Sequence, residues 1–268
     1  MQPVIKWSGS KRSQANDIVK LFPNDFNTYY EPFIGGGSVL YTVSPFNGIC
    51  GDICTPLIAL WNEIKERPLQ LAESYKQRWQ WLQDEGQDVY YTIRDRFNRH
   101  QNPEDFLFIT RTCTNGLIRF NKSGEFNNSF HITRKGIFPS TMQKIILDWS
   151  QRIQRTQFIN SDYHNTLSTV KKGDIVYLDP PYENTKGMYY GRIDYNLLWN
   201  ELDRLNSIGV KYILSFDGIR GGKNILAKVP EELYVRHELI KSGVSSFDRV
   251  VNGKYTVVYE SVYLNYDM

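Results

Sequence analysis

The cleanest hydrophobic run in the chain, Ile175-Val176-Tyr177-Leu178, has no polar interruption and ends in Asp179-Pro180-Pro181-Tyr182. Such a run reads as a buried strand. Shorter versions recur upstream. Tyr29, Tyr30 and Phe33 surround Glu31-Pro32 and lead through Gly35-Gly36-Gly37 into Ser38-Val39-Leu40-Tyr41, which reads as strand, glycine turn and helix. Gly48 to Asp52 is a second short strand ending in an acid, and Leu57 to Glu66 a helix closed by Pro68. Before them, a polar glycine-centred loop over residues 4–12 precedes a short helix carrying Ile18, Val19 and Leu21 and stopping at Pro23. Two adjacent strand–helix units predict an α/β fold with a parallel, doubly wound sheet.

The alternation then lapses. Residues 69–83 and 88–99 carry helical patterns, and Pro103 suits the first turn of a further helix over Glu104 to Cys113. Asn115 to Phe130 predicts a hairpin with Lys122-Ser123-Gly124-Glu125 at its turn. Ile145, Trp149 and Ile153 are spaced for a helix over Thr141 to Arg155, and the strand pattern resumes only at Gln157-Phe158-Ile159. Residues 68–155 therefore read as a mostly helical insertion. Beyond residue 182, a polar loop precedes a helix over Leu197 to Ser207, with Gly209 as its C-cap. Val210 to Phe216 is a strand, and the aromatic run Tyr255 to Tyr263 suits the strand that closes the sheet.

Composition narrows the function classes. A chain of 268 residues with 41% hydrophobic content fits one large domain, or one domain with an insertion. The formal charge is only +3, but residues 94–135 hold eight basic side chains against four acidic ones. A basic stretch interleaved with aromatics suits a polyanion; an ordinary solvated face is the competing reading. Cys50, Cys54 and Cys113 form neither a disulfide framework nor zinc spacing, which suits buried thiols in a reducing compartment. No apolar run reaches membrane length, and Met1 to Lys11 lacks a signal-peptide core, so the expectation is a cytoplasmic protein with no membrane partner.

Two constellations carry chemistry. Glu31 to Gly37 forms a turn that lets a ligand approach the backbone closely, and Asp52, at the end of the next strand, is placed to hold ribose hydroxyls. A bare glycine turn is the alternative, and no Gly-Lys-Ser/Thr follows to make a phosphate loop. Asp179-Pro180-Pro181-Tyr182 is more specific. Its prolines fix φ and leave carbonyls free to accept, so a carboxylate, a carbonyl and a flat ring make a site for a planar group bearing NH2. A proline turn with a capping acid is the plainer reading. Asp162-Tyr163 adds an acid and a ring on the same sheet edge, to hold an adenine or to cap a helix.

Together these residues resemble the Dam-type (class alpha) DNA adenine-N6 methyltransferases and their restriction-system relatives, over nearly the whole chain. Lys6-Trp7-Ser8-Gly9-Ser10-Lys11 is similar to the family's N-terminal loop, Glu31 to Gly37 to its cofactor turn, and Asp179-Pro180-Pro181-Tyr182 to its catalytic tetrapeptide. Asn115-Gly116-Leu117-Ile118-Arg119-Phe120-Asn121 followed by Gly124-Glu125-Phe126-Asn127 resembles its DNA-reading hairpin. The motif order is also the family's. The resemblance implies a Rossmann-like methyltransferase sheet, residues 1–67 and 156–268, with an inserted, mostly helical target-recognition subdomain bearing a β-hairpin, residues 68–155.

It further implies S-adenosyl-L-methionine as methyl donor, with no metal. Trp7, Lys11, Phe33, Gly35, Gly37, Asp52, Asp162 and Tyr163 would form the pocket, with Asp179 at its border. Asp179, Pro180 and Tyr182 would hold a flipped-out adenine of double-stranded DNA, two acceptors taking the amino hydrogens while the ring stacks. Lys6, Asn115, Leu117, Arg119 and Asn121 would contact the DNA: Arg119 by a bidentate contact to guanine, Lys6 at a base edge, and Asn115 and Leu117 by touching bases or filling the space left by the flipped one. Arg134, with Arg94, Arg96 and Lys135, would meet phosphates, and Tyr195 would close over the flipped base. The implied setting is a monomer on DNA, as the modification enzyme paired with a restriction endonuclease or as a phage or solitary methylase. The far arm, Phe126-Asn127-Asn128-Ser129-Phe130-His131, departs from the Phe-Asn-Val-Pro-Phe-Gly of GATC-reading members, so GATC is not assumed. A cytosine-N4 methyltransferase and a catalytically idle DNA-binding protein are the alternatives.

Overall fold

The computed structural model describes residues 1–133, 135–181, 193–220, 223–224, 229–244 and 257–267. The chain opens with the predicted loop and a short helix, α1 (Ala15–Val19), then β1 (Tyr29–Glu31), α2 (Ser38–Val43), β2 (Gly48–Asp52) and α3 (Thr55–Glu66). Helices α4 (Pro68–Glu85), α5 (Asp88–His100), α6 (Pro103–Thr112) and α7 (Pro139–Ile153) follow before the chain returns to β3 (Thr156–Asn160). The second half runs α8 (Tyr163–Thr166), β4 (Ile175–Leu178), α9 (Tyr195–Ser207), β5 (Lys211–Arg220), β6 (Lys223–Asn224), β7 (Arg236–Val244) and β8 (Val257–Leu264).

The strands form one sheet in the order β3-β2-β1-β4-β5-β8-β7, with the two-residue β6 paired to β5 alone. β1 to β5 are parallel, and β8 runs antiparallel to both β5 and β7. The order reverses between β1 and β4. From β1 the chain winds outward through β2 to β3, and from β4 it winds the other way. Helices leaving β1 and β4 therefore diverge and leave a crevice at the carboxyl ends of these strands, where open α/β sheets bind ligands.

The apolar run of β4 is explained by burial on both faces. Ile175 and Tyr177 join one core cluster, while Val176 and Leu178 join the other. The smaller cluster is closed by Leu198, Leu202 and Leu205 of α9. The larger one continues from the sheet into the helices between α3 and β3 without a break. Trp149 of α7 packs against Trp61 of α3 at 5.0 Å between ring centroids, and Trp61 stacks on Phe158 of β3 at 5.8 Å. β7 has no counterpart in the hydropathy pattern. It is an edge strand with Val235 and Leu239 exposed on either side of its start, so its pairing comes from β8 and not from its own periodicity.

The basic stretch divides on folding. Asp105, fully buried in the first turn of α6, accepts from Arg78 Nε at 2.7 Å, from Arg96 Nε at 2.6 Å and from Asn102 Nδ2 at 2.9 Å. Burial alone would raise its carboxyl, but these donors hold it below the ordinary value. Asn102 caps the helix by accepting from the Asp105 backbone N–H at 2.8 Å. Arg96 thus ties α5 to α6 and is not aimed at a phosphate. Arg111 is buried, with Nη1 donating to the Pro3 carbonyl at 3.2 Å, and burial pushes its guanidinium down to about 10. Because Asp105→Ala strands two guanidinium groups, it should cost about 3–5 kcal/mol in urea denaturation, whereas Arg94→Ala should stay near wild type.

Candidate active site

Asp179 and the buried Pro180 leave β4 at the crevice, beside Glu31 at the end of β1. Lys11, with 4% of its side chain exposed, donates to Asp179 Oδ2 at 2.7 Å and to the Gly9 carbonyl at 3.0 Å. Its ammonium also lies 3.6 Å from Glu260 Oε2 on β8, and that same oxygen accepts from Gln14 Nε2 at 2.6 Å. Glu31 is buried and accepts from the Tyr29 hydroxyl at 2.7 Å. Burial, and then the neighbouring Asp179 charge, push the Glu31 carboxyl up to about 8, so it is protonated at neutral pH.

The glycine turn lies against the N-terminal loop. Gly35 has φ +43°, and a Cβ there would sit 2.6 Å from the Trp7 ring, so strain and space both exclude a side chain. Gly35 N–H donates to Asp52 Oδ2 at 3.2 Å, and the Cys54 N–H donates to Oδ1 at 2.9 Å. Burial pushes the Asp52 carboxyl up to about 6 against these two donors. A cavity of about 670 Å³ opens beside this turn, lined by Trp7, Phe33, Asp52, Tyr163, Asp179 and Pro181 among others. Phe33 and Tyr163 touch at 5.4 Å between centroids, so they form one continuous wall and a flat group packs along it, not between them. Asp162 also borders the cavity, and its carboxylate caps α8 by accepting from the Asn165 N–H at 2.8 Å.

A cavity at the switch point, bordered by Asp52 at the end of β2 and Asp179 just past β4, suits a nucleoside-bearing ligand beside a small reacting group. Residues 7–241 match the sequence model of the D12 class N6 adenine-specific DNA methyltransferase family. The chain belongs to that family.

Among relatives, the D12 class chain is 32% identical to a DNA adenine methylase of Vibrio cholerae over 182 residues, 66% of this chain and 64% of that one. It is 31% identical to DNA adenine methylases of Haemophilus influenzae and Escherichia coli K12, again over 64% of their length. The matched region thus falls short of two thirds of those proteins. In structure, the rRNA methyltransferase aviRa from Streptomyces viridochromogenes is similar at 13% identity with a TM-score of 0.42, over 97% of this chain and 88% of that one.

The family's hairpin region forms an antiparallel excursion held by two isolated bridges, Cys113 to Phe130 and Phe120 to Phe126. Gly116 has φ +65°, and a Cβ there would lie 2.4 Å from Lys6, which is how the N-terminal loop abuts the hairpin. Asn115, in the left-handed region at φ +57°, and Arg119 are exposed, and Leu117 is half-buried. Arg119 Nε donates to Asn127 Oδ1 at 2.9 Å, an exposed cross-strand contact that orients the guanidinium. The Asn121 amide instead holds the turn: Oδ1 accepts from the Ser123 and Glu125 N–H groups at 2.9 Å, and Nδ2 donates to Glu125 Oε2. The Tyr195 hydroxyl donates to the Pro181 carbonyl at 2.7 Å, anchoring the start of α9 to the Asp179–Pro181 turn. Tyr182 and Arg134 lie outside the described residues.

The sequence marks Asn128 only as part of the far arm's departure from the family pattern, and it does not single out Gln14 or Glu260. Asn128 is buried and donates from Nδ2 to the carbonyls of Thr114 and Leu117 at 2.9 and 2.8 Å, pinning the turn that presents Asn115. The departure from Val-Pro at this point was the available signal. Gln14 and Glu260 are 246 residues apart and carry no local signal.

The raised carboxyl of Glu31 gives a signed stability effect. Its contribution is fully present below the unfolded value near 4.5 and is lost as pH rises toward about 8. Between these limits wild type should lose about 1.4 kcal/mol per pH unit from this one group. Glu31→Gln keeps an acceptor for Tyr29 and should remove that slope, gaining on wild type in urea melts as pH rises from 5 to 8.

Proposed function

We propose that this protein transfers a methyl group from S-adenosylmethionine to the N6 amino group of adenine at specific sites in double-stranded DNA. The observation that carries the reading is the stiff Asp179-Pro180-Pro181 turn at the strand reversal, opening onto the cavity that Asp52 and the glycine turn line. Family membership supports it. The donor set suits a nucleoside: Asp52 for ribose hydroxyls, the Phe33–Tyr163 wall for the base, and Trp7 over the glycine turn. When bound, the cofactor supplies an electrophilic methyl carbon on a sulfonium.

The chain's own residues do the rest. The Asp179 carboxylate and the Pro180 carbonyl accept the two amino hydrogens of an adenine turned out of the duplex, which withdraws the nitrogen lone pair from the ring. Lys11 holds Asp179 in place, so positioning and electrostatics supply the rate and no cysteine nucleophile is needed; Cys50, Cys54 and Cys113 are all buried. Residues 68–155 serve as the recognition subdomain, with the exposed Arg119 reading guanine and Lys6 approaching from the N-terminal loop. Cofactor pocket and recognition segment lie on one chain, which suits a monomer on duplex DNA, whether paired with a restriction endonuclease or acting as a phage or solitary methylase.

Purified protein, duplex DNA and labelled cofactor, followed by mass spectrometry of the nucleosides, should yield N6-methyladenine; N4-methylcytosine alone would overturn the reading. Asp179→Ala should abolish transfer while leaving cofactor affinity within a few-fold of wild type. Asp52 must be ionised to hold ribose hydroxyls, and its carboxyl is pushed up to about 6. Cofactor affinity, measured by calorimetry, should therefore fall as pH drops through 6. Asp52→Asn should bind weakly and show no such dependence.

A further inference from the structure

Lys11 stands between two carboxylates from different strands. Asp179 at the end of β4 is 2.7 Å from its ammonium, and Glu260 in β8 is 3.6 Å away. The first is a direct charge-assisted hydrogen bond, and the second is a close ion pair just beyond hydrogen-bond distance, 3.6 Å against 2.7 Å. Glu260 is not loosely placed. Its backbone is paired on both sides, opposite Gly218 of β5 and Ile240 of β7. Its Oε2 is fixed by the Gln14 amide at 2.6 Å, one turn along from Lys11 itself.

The proposed reaction makes conflicting demands on this cluster. Asp179 is held by Lys11, yet it must also offer a carboxylate lone pair to the amino hydrogen of the incoming base. While Lys11 bonds to Asp179 at full strength, that carboxylate is a weaker acceptor. A lysine buried to 4% exposure has little water to turn to, so a second anion within reach offsets a loosening from Asp179. Glu260 is in that position.

We propose that Glu260 is a positioning residue for the catalytic turn: it is the second anion toward which Lys11 shifts when Asp179 engages the substrate amino group, with Gln14 holding Glu260 in place. No proton or bond is exchanged in this step; a hydrogen-bonded cation moves by about an ångström between two fixed carboxylates. The inference rests on the methyl-transfer reading above, so wild-type turnover is measured first, and its absence would count against that reading rather than against Glu260.

Glu260→Gln keeps an acceptor for Gln14 and removes only the charge. Steady-state methylation should show kcat lowered ten- to a hundredfold, with the Kd for S-adenosylmethionine, the KM for DNA and the Tm all near wild type. Glu260→Asp retains the charge and should keep more of kcat than Glu260→Gln. Gln14→Ala, which loosens Glu260 without altering any charge, should lower kcat by a smaller factor with the same split. Unchanged kcat in Glu260→Gln, equal losses in Glu260→Gln and Glu260→Asp, or a loss matched by cofactor affinity or Tm would each overturn the proposal.

Discussion

The reversal of strand order between β1 and β4 is the constraint from which the rest of the site follows. Parallel strands need crossover connections, and crossovers that wind outward in opposite directions cannot both cover the point where they part. The gap falls at the carboxyl ends of the two central strands, where Glu31 and Asp179 emerge. Because β4 is buried on both faces, the Asp179-Pro180 turn inherits the rigidity of the core. The proposed pair of acceptors, the Asp179 carboxylate and the Pro180 carbonyl, would draw on that rigidity.

Charge at this gap is managed by burial. Three carboxyl groups, Glu31, Asp179 and Glu260, gather around one buried ammonium. Glu31 avoids the like-charge cost by remaining protonated, which leaves Lys11 to the other two. The adjacent cavity is handled differently: Asp52 borders it, accepts from backbone N–H groups, and burial pushes its carboxyl up to about 6. One fold thus keeps neighbouring acids in different protonation states through depth and partners alone.

The hairpin shows how the proposed recognition segment is attached. Lys6 packs on Gly116, and Asn128 pins the turn carrying Asn115 through two carbonyls, so the exposed residues ride on buried contacts. The same region shows the limits of counting charges. Arg96 is committed to Asp105 and Arg111 is buried, so the basic excess over residues 94–135 overstates what faces outward.

Much of the fold was legible in the chain alone. Element types came from local patterns: the double-sided run of β4, the acid that ends β2 at Asp52, the proline that opens α6 and the glycine past α9. Motif order carried the family resemblance, since glycine turn, hairpin and proline turn are each short and self-contained. β7 was not legible, because an edge strand needs only the pattern its single neighbour imposes. Nor was the partner of Asp179, since Lys11 lies 168 residues away and meets it only once the sheet is assembled. The chain alone marks Asn121 as a DNA contact; its hold on the Ser123 and Glu125 N–H groups emerges only on folding. Composition and periodicity decide which segments become strands and helices. Which charged side chains meet depends on strand order, and that is settled only when distant segments bury their faces together.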